Sequence, residues 1–358
     1  MAGASRYCVR QTVVPDPLEA ADGFVAAIER LVRDWRIDVL VPITEASLLA
    51  LLPERARFKG VCIPFPSYEQ FHSICDKTTV LEAARALEIR VPKSRRLASA
   101  NDRDQLLPET LRFPLVVKPA RSVTPANGRF TKSGVAHAHD WGSLRSALEK
   151  VSPAAYPVLL QQRVVGPGVG VFLLIWKGEL LASFAHHRIR EKPPSGGVSV
   201  FCESVPVDPV LLASSRTLLE RFAWEGVAMV EYKLDAATGV PYLMEINGRF
   251  WGSLQLAIDA GVDFPALLMA AALGGRPHPV HTYRVTTKNR WWWGDVDHLL
   301  ARLRRSKEEL GLPPETPGRW RAIGDFLASC RPPGRNGVLR LGDPMPFVRE
   351  TLDWVRRR

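Results

Sequence analysis

Val230-Glu231-Tyr232 and, after a reversing segment, Leu243-Met244-Glu245-Ile246-Asn247-Gly248-Arg249 decide the reading of this chain. Successive side chains of a strand point to opposite faces, so Glu245 and Asn247 share one face while Met244 and Ile246 share the other. Between the two runs, Asp235-Ala236-Ala237-Thr238-Gly239 has the Asp and Gly chemistry of a turn. It folds the strand at 226–234 back beside 241–246 and carries Glu231 towards the same end of the pair. Two carboxylates and an amide, with room left for water and phosphate oxygens, suit a hard cation such as Mg²⁺. A solvated hairpin with charges on its outer face is the plainer alternative.

Upstream residues bear on that choice. Phe113-Pro114-Leu115-Val116-Val117-Lys118-Pro119 is an apolar strand ended by Pro, with one Lys where a core strand should carry none. Taken alone, Lys118 reads as a snorkelling surface residue. The segment Ser122–Gly134 behind it, with Gly128, Gly134, Thr124, Thr131 and Ser133, has the composition of a phosphate lid rich in backbone N–H donors. Asp76-Lys77 opens a helix with Val80, Leu81, Ala84 and Leu87 at helical spacing and Asp76 as its N-cap.

Glu231 followed by Glu245-x-Asn247-x-Arg249 resembles the metal-binding end of the ATP-grasp superfamily, in particular its biotin-carboxylase and carbamoyl-phosphate-synthase-like branch, and the likeness runs over roughly residues 70–275. The resemblance implies that Glu231, Glu245 and Asn247 hold Mg²⁺, with Mn²⁺ as the substitute, against the ATP phosphates. By the same likeness Arg249 faces the reacting acid, and Lys77 and Lys118 contact the nucleotide. Val158-Leu159-Leu160-Gln161-Gln162-Arg163-Val164-Val165-Gly166 falls where the family grips adenine, which places Gln161, Gln162 and Val164 at the cofactor. The sequence departs from the pattern at Gln162, where Glu is usual, and at Pro167, where a second acid often holds the ribose. An amide still hydrogen-bonds adenine, whereas Pro167 has neither a donor nor a side-chain acceptor.

His186-His187-Arg188-Ile189-Arg190-Glu191-Lys192-Pro193-Pro194-Ser195-Gly196-Gly197 ends a strand in basic residues and a Pro/Ser/Gly loop. By itself it reads as a surface hairpin with solvated charge. In the ATP-grasp frame the strand borders the phosphates, which makes Arg188 and Arg190 candidates for stabilising the transferred phosphoryl group. Strand parity puts both arginines on one face and His187 on the other. The His pair lacks a Cys, third His or carboxylate at zinc spacing, so a zinc site is rejected.

The 358 residues suffice for two or three compact domains, and 46% hydrophobic residues supply a core without a membrane-length apolar run. The N-terminus lacks a signal core or a myristoylation glycine. Five widely spaced cysteines without a C-x-x-C pair read as reduced thiols, and the expected location is cytoplasmic. A net charge of +11 favours anionic ligands. Its basic residues are spread out, and no nucleic-acid-binding motif accompanies them, so no specific nucleic-acid or membrane partner is expected, while self-association is left open.

Apolar spacing at Phe24, Ile28, Leu31 and Trp35 gives a helix over 19–35. Val39–Ile43 and Val61–Ile63 read as buried strands around a helix at Leu48–Leu52. No β-α unit precedes Tyr7, so the expected class is α/β and α+β: a reduced Rossmann-like domain (1–91) ahead of an ATP-grasp fold of two α+β subdomains (92–165 and 166–275). A Pro- and Arg-rich extension (276–358) follows, with Trp291-Trp292-Trp293 read as docking that tail rather than stacking a ligand.

The resemblance implies an ADP-forming ligase that phosphorylates a small-molecule carboxylate and passes its acyl group to an amine or thiol. Bicarbonate activation is the alternative within the enzyme class. A nucleotide-binding regulator without turnover is the alternative outside it.

Overall fold

The computed structural model describes residues 2–126, 129–313, 315–330 and 335–357. Its N-terminal part is built from helices with explicit start signals. Ala21–Trp35 (α1) buries Phe24, Val25 and Ala27 and ends at Arg36 in the left-handed region, φ 52°. Reciprocal side-chain to backbone bonds at Thr44 and Ser47 start Glu45–Leu51 (α2), and Ser67 with Gln70 starts Tyr68–Cys75 (α3). Asp76 then caps Lys77–Ala86 (α4) by accepting from the amides of Thr78 and Thr79. The two strands expected at 39–43 and 61–63 shrink to one parallel bridge between Val39 and Cys62. Pro42 and Pro64 remove the backbone donors that would extend that ladder.

A four-stranded antiparallel sheet comes next, from Ser94–Leu97 (β1), Leu115–Pro119 (β2), Ala136–Ala138 (β5) and Val158–Gln162 (β6), in the order β1-β6-β2-β5. Val123–Ala126 (β3) and Arg129–Lys132 (β4) form a separate hairpin. Asp140 caps Trp141–Glu149 (α5), whose Leu144 and Leu148 close a small core with Leu97, Leu115, Val117, Val158 and Leu160.

The larger sheet carries the second core. Gly168–Trp176 (β7) and Glu179–Lys192 (β8) make a long hairpin, followed by Val198–Ser204 (β9), the Asp208-capped helix Pro209–Arg221 (α6), Gly226–Leu234 (β10) and Pro241–Asn247 (β11). Leu254–Ala260 (α7) and Phe264–Ala272 (α8) pack Leu256, Ala257, Phe264 and Leu268 into that core. Lys288–Arg290 (β12) and Arg335–Asn336 (β13) complete the order β11-β10-β7-β8-β9-β12-β13, in which only the last pair is parallel.

The described residues of the segment from 276 onward pack on the large sheet, where β9 pairs with residues 288–290 and Arg190 of β8 is held by Asp295. Trp292–Arg304 (α9), Arg319–Ala328 (α10) and Met345–Arg356 (α11) belong to this part. Trp293 stacks on Trp354 at 4.0 Å, and Trp291 Nε1 donates to Glu350 at 2.6 Å. Among the described residues no single helix is long and apolar enough to cross a membrane.

Candidate functional site

Backbone register brings the acids together before any side chain is considered. Glu231 and Glu245 are direct partners across β10 and β11, and Met229 lies opposite Asn247. Tyr232 pairs with Leu243, which leaves Met244 as the extra residue of a bulge. Strict alternation therefore fails at this point, and Met244 lines the same cavity as Glu245 and Asn247. That cavity has a volume of about 520 Å³ and lies between the two sheets, within the range of nucleotide and cofactor clefts.

Glycines on the next strand leave room for the side chains around the acids. Gly170 on β7 sits between Glu231 on β10 and His186 on β8, and a Cβ at Gly168 would come within 3.1 Å of Arg188 Cδ. Arg188 lies across this gap and donates to both Glu231 oxygens, at 2.9 and 2.5 Å, and to Glu191 at 2.9 Å. Burial works against its charge, but Glu231 and Glu191 outweigh burial and hold the guanidinium above its ordinary pKa. Burial also pushes the Glu231 carboxyl up, against the pull of Arg188. At Glu245, burial is overcome by Lys77 and Lys118, and the carboxyl is held down at about 2.

Lys77 and Lys118 arrive from separate elements. Lys77 opens α4, anchored by its amide to the Ala120 carbonyl at 2.8 Å, and its Nζ donates to Ser122 at 3.0 Å and lies 3.5 Å from Glu245. Lys118 is buried on β2, not snorkelling; burial, with Lys77 nearby, lowers its pKa to about 8. Asn247 donates to Glu245 at 3.0 Å and accepts from Arg249 at 3.2 Å. Two facing carboxylates and an amide oxygen form a hard donor set, which fits Mg²⁺ completed by phosphate oxygens and water. No group of three or more His, Cys, Asp or Glu capable of holding an ion by itself occurs among the described residues, so phosphate would have to share any such cation.

The opposite end of the cavity is lined by Val116, Gln161, Gln162, Arg163 and Val164. Gln161, not Gln162, is the amide turned inward: it is 1% exposed, its Nε2 donates to Ser94 at 3.1 Å, and its Oε1 has no partner. An unpaired buried amide oxygen beside backbone edges is an acceptor suited to an exocyclic amino group. Gln162 stands on the exposed rim because it is the last residue of β6.

Arg190 corrects the expectation from parity. The β8–β9 ladder slips between Arg188 and Arg190, and this bulge sends the second arginine away from the cavity. There it forms a two-pronged pair with Asp295 of α9, at 2.6 and 2.7 Å. The expected lid is the β3–β4 hairpin, tied to the N-terminal segment by Phe130 N to Leu18 O at 2.8 Å; Ser122 is its contact with Lys77, and Gly128 lies outside the described residues.

Three contributions were not legible beforehand. Glu45 from α2 shares a narrow gap with Lys77, Glu245 and Arg249, has an unpartnered Oε1, and is raised in pKa chiefly by burial. Trp251 and Ser253, just beyond Arg249, line the main cavity together with His186. An acid at a helix start and a polar Ser after an aromatic pair are too common to mark a site from sequence.

The fold and the match of its parts agree with known proteins. The structure resembles the L-amino acid ligase from Bacillus licheniformis, with a TM-score of 0.58 and 18% identity over 74% of this chain and 63% of that one. Residues 155–291 match the family model described as ATP-grasp in the biosynthetic pathway with Ter operon. The chain has the ATP-grasp fold. Other ATP-grasp structures similar to it are N5-carboxyaminoimidazole synthetase from Staphylococcus aureus complexed with ADP (TM-score 0.59, 16% identity, 79% of this chain and 70% of that one) and the biotin carboxylase domain of Hydrogenobacter thermophilus 2-oxoglutarate carboxylase (0.58, 16%, 75% and 61%). The chain thus spans 63% and 61% of the length of the ligase and the biotin carboxylase domain. A search of curated proteins gives no match.

Proposed function

We propose that this chain is an ATP- and Mg²⁺-dependent, ADP-forming ligase that activates a carboxylate as an acyl phosphate for attack by an amine or thiol. The observation that carries this reading is the convergence of Lys77, Lys118, Arg188 and Arg249 with Glu231, Glu245 and Asn247 around one cavity of an ATP-grasp fold. The similar structures point the same way, since they include a ligase that joins amino acids by name and a synthetase solved with ADP.

Charge management is the task of such a site, because an anionic acid must approach anionic ATP. Gln161 and the edge of β6 receive the base, and Lys77 and Lys118 hold phosphate oxygens. Glu231, Glu245 and Asn247 would hold Mg²⁺, which supplies charge neutralisation at the transferred phosphoryl group when bound. Arg188, paired with Glu231 in the free protein, then has a phosphate to turn to, and Arg249 holds the acid in its fixed fork. A carboxylate oxygen of the substrate attacks the γ-phosphorus, the bond from that phosphorus to the ADP oxygen breaks, and an acyl phosphate forms. The nucleophile then attacks the acyl carbon, the carbon–oxygen bond to phosphate breaks, and its proton passes to solvent.

Isotope transfer tests this reaction class. With ¹⁸O in the substrate carboxylate, one labelled oxygen should appear in inorganic phosphate, together with acceptor-dependent ADP release. Label in AMP would mean adenylation and would end the proposal. ADP release supported by bicarbonate alone would move the chain to the bicarbonate-activating class, and tight ATP binding without turnover would make it a regulator.

A further inference from the structure

Two polar atoms of the cavity wall have neither a protein partner nor a place in the reaction just described. His186 Nε2 and Trp251 Nε1 are buried and unpartnered, and Ser199, whose hydroxyl interacts with the Cys202 thiol, lines the same cavity as both. A native interior rarely leaves such groups unpaired, and their residues share the wall of one cavity, where a ligand's hydrogen bonds would be made.

Their orientation is fixed by packing. Trp251 lies 4.3 Å from Phe172 and edge-on to Phe264 at 5.1 Å, while His186 is pinned by Ser253 Oγ at 3.2 Å from its Nδ1 and by the edge of Phe172. A Cβ at position 170 would approach His186 Nε2 to 3.0 Å and Phe172 Cζ to 2.7 Å, so only glycine leaves both rings their places. Burial, with Arg188 adjacent, holds the imidazole far below its usual pKa, and it is uncharged. None of these recess residues is acidic, which disfavours an ammonium group, and the Trp251 indole is a donor only. Arg249, two residues before Trp251, lines the same cavity.

We propose that His186, Ser199, Trp251 and Ser253 form a specificity subsite for the acid substrate, and that this subsite takes a hydrogen-bond-accepting oxygen carried close to the carboxylate. The substrate class is a short hydroxy-, oxo- or amide-bearing acid, not an unsubstituted alkanoate. This rests on the ligase reading, because the carboxylate held at Arg249 sets which end of the acid enters the recess. A site built to hydrogen-bond an oxygen discriminates strongly against the analogue that lacks it, since the wall is then left unpaired.

The test compares wild type, Trp251→Phe and Ser199→Ala with paired acids of equal chain length, with and without the oxygen. Calorimetric affinity for the acids is measured in the presence of Mg·ADP, and acid-dependent hydroxamate formation with ATP and hydroxylamine is followed in parallel. Wild type should prefer the oxygen-bearing acid by at least about ten-fold, and Trp251→Phe should reduce that preference to within about three-fold by losing affinity for that acid alone. Mg·ADP affinity should not change. No preference in wild type, or a preference kept in both folded variants, overturns the subsite; equal loss of Mg·ADP binding assigns these residues to the nucleotide instead. Ser199→Ala decides the matter where Trp251→Phe does not fold. An active wild type with the wrong specificity pattern sinks only the subsite, whereas no hydroxamate and no acid binding in wild type sinks the ligase reading with it.

Discussion

Lys118 shows how much one residue can reveal and how much it conceals. A Lys within an apolar strand is visible in the sequence, and its burial on β2 makes the anomaly informative. Lys118→Ala should weaken Mg·ATP binding about ten-fold or more, since a charge-assisted contact contributes about 1.5–3 kcal/mol; calorimetry on the folded variant checks it, and unchanged affinity removes Lys118 from the site. Its pKa adds a second signature. Burial and Lys77 disfavour the charged form and bring it to about 8, whereas a polyphosphate favours that form. Below that pH the group is already protonated; above it, ATP binding must take up a proton, so affinity should fall as pH rises through about 8, and calorimetry in buffers of different ionisation heat should show the uptake. Without nucleotide the sign reverses: the unfolded chain binds more protons between about 8 and 10.5, and the fold gains stability across that window. The adenine end was less legible than Lys118. Gln161 and Gln162 are adjacent amides, and only the pairing of Gln161 with both Ser94 and Val116 shows which one is enclosed.

At the scale of elements, the β10–β11 hairpin was readable because its turn chemistry and alternating pattern are local, and the acids it aligns face each other in register. Its bulge at Met244 was not, because one extra residue in a ladder depends on the partner strand and leaves no mark in composition. The same failure moved Arg190. Glu245→Gln keeps shape and one hydrogen-bonding oxygen but deletes a cation-binding charge, so ATP should still bind while acceptor-dependent ADP formation collapses, most sharply at low Mg²⁺. Equal turnover of both proteins across a Mg²⁺ titration would contradict the metal role. Gly248, just beyond β11 between Asn247 and Arg249, has no room for a side chain. A Cβ there would lie 2.2 Å from Trp224 Cη2 and 2.4 Å from Ile74 Cδ1. Gly248→Ala should therefore cost about 1–3 kcal/mol in urea unfolding by overpacking, and it should displace both neighbouring site residues.

Across the whole molecule, the two arginines of β8 divide the work between site and scaffold. Arg188 faces the cavity acids, whereas Arg190 is spent on Asp295, which is fully buried and also lies 3.1 Å from Arg290 Nε. Phe201 faces both guanidinium groups at 4.5 and 5.1 Å, so this cluster joins residues 276–358 to the large sheet through charge and aromatic packing together. Of the tryptophans expected to dock the tail, Trp291 lies over Lys192 of β8, whereas Trp292 and Trp293 pack on Phe326 and Trp354 within the tail itself; the Arg–Asp neighbours were not legible, since the partners are separated by 105 residues. Asp295→Asn leaves two buried guanidinium groups without their shared counter-charge. Unfolding stability should fall by about 3–5 kcal/mol, the penalty for breaking a buried ion pair by removing one partner. Limited proteolysis should then cut within residues 276–358 while Mg·ATP affinity persists. Arg190→Met should cost less, because Arg290 still neutralises Asp295, and should leave turnover within about three-fold, whereas Arg188→Met should abolish turnover in a folded protein. Steady-state kinetics on the two methionine variants separates the roles: loss of turnover in a folded Arg190→Met protein would return that residue to the catalytic set.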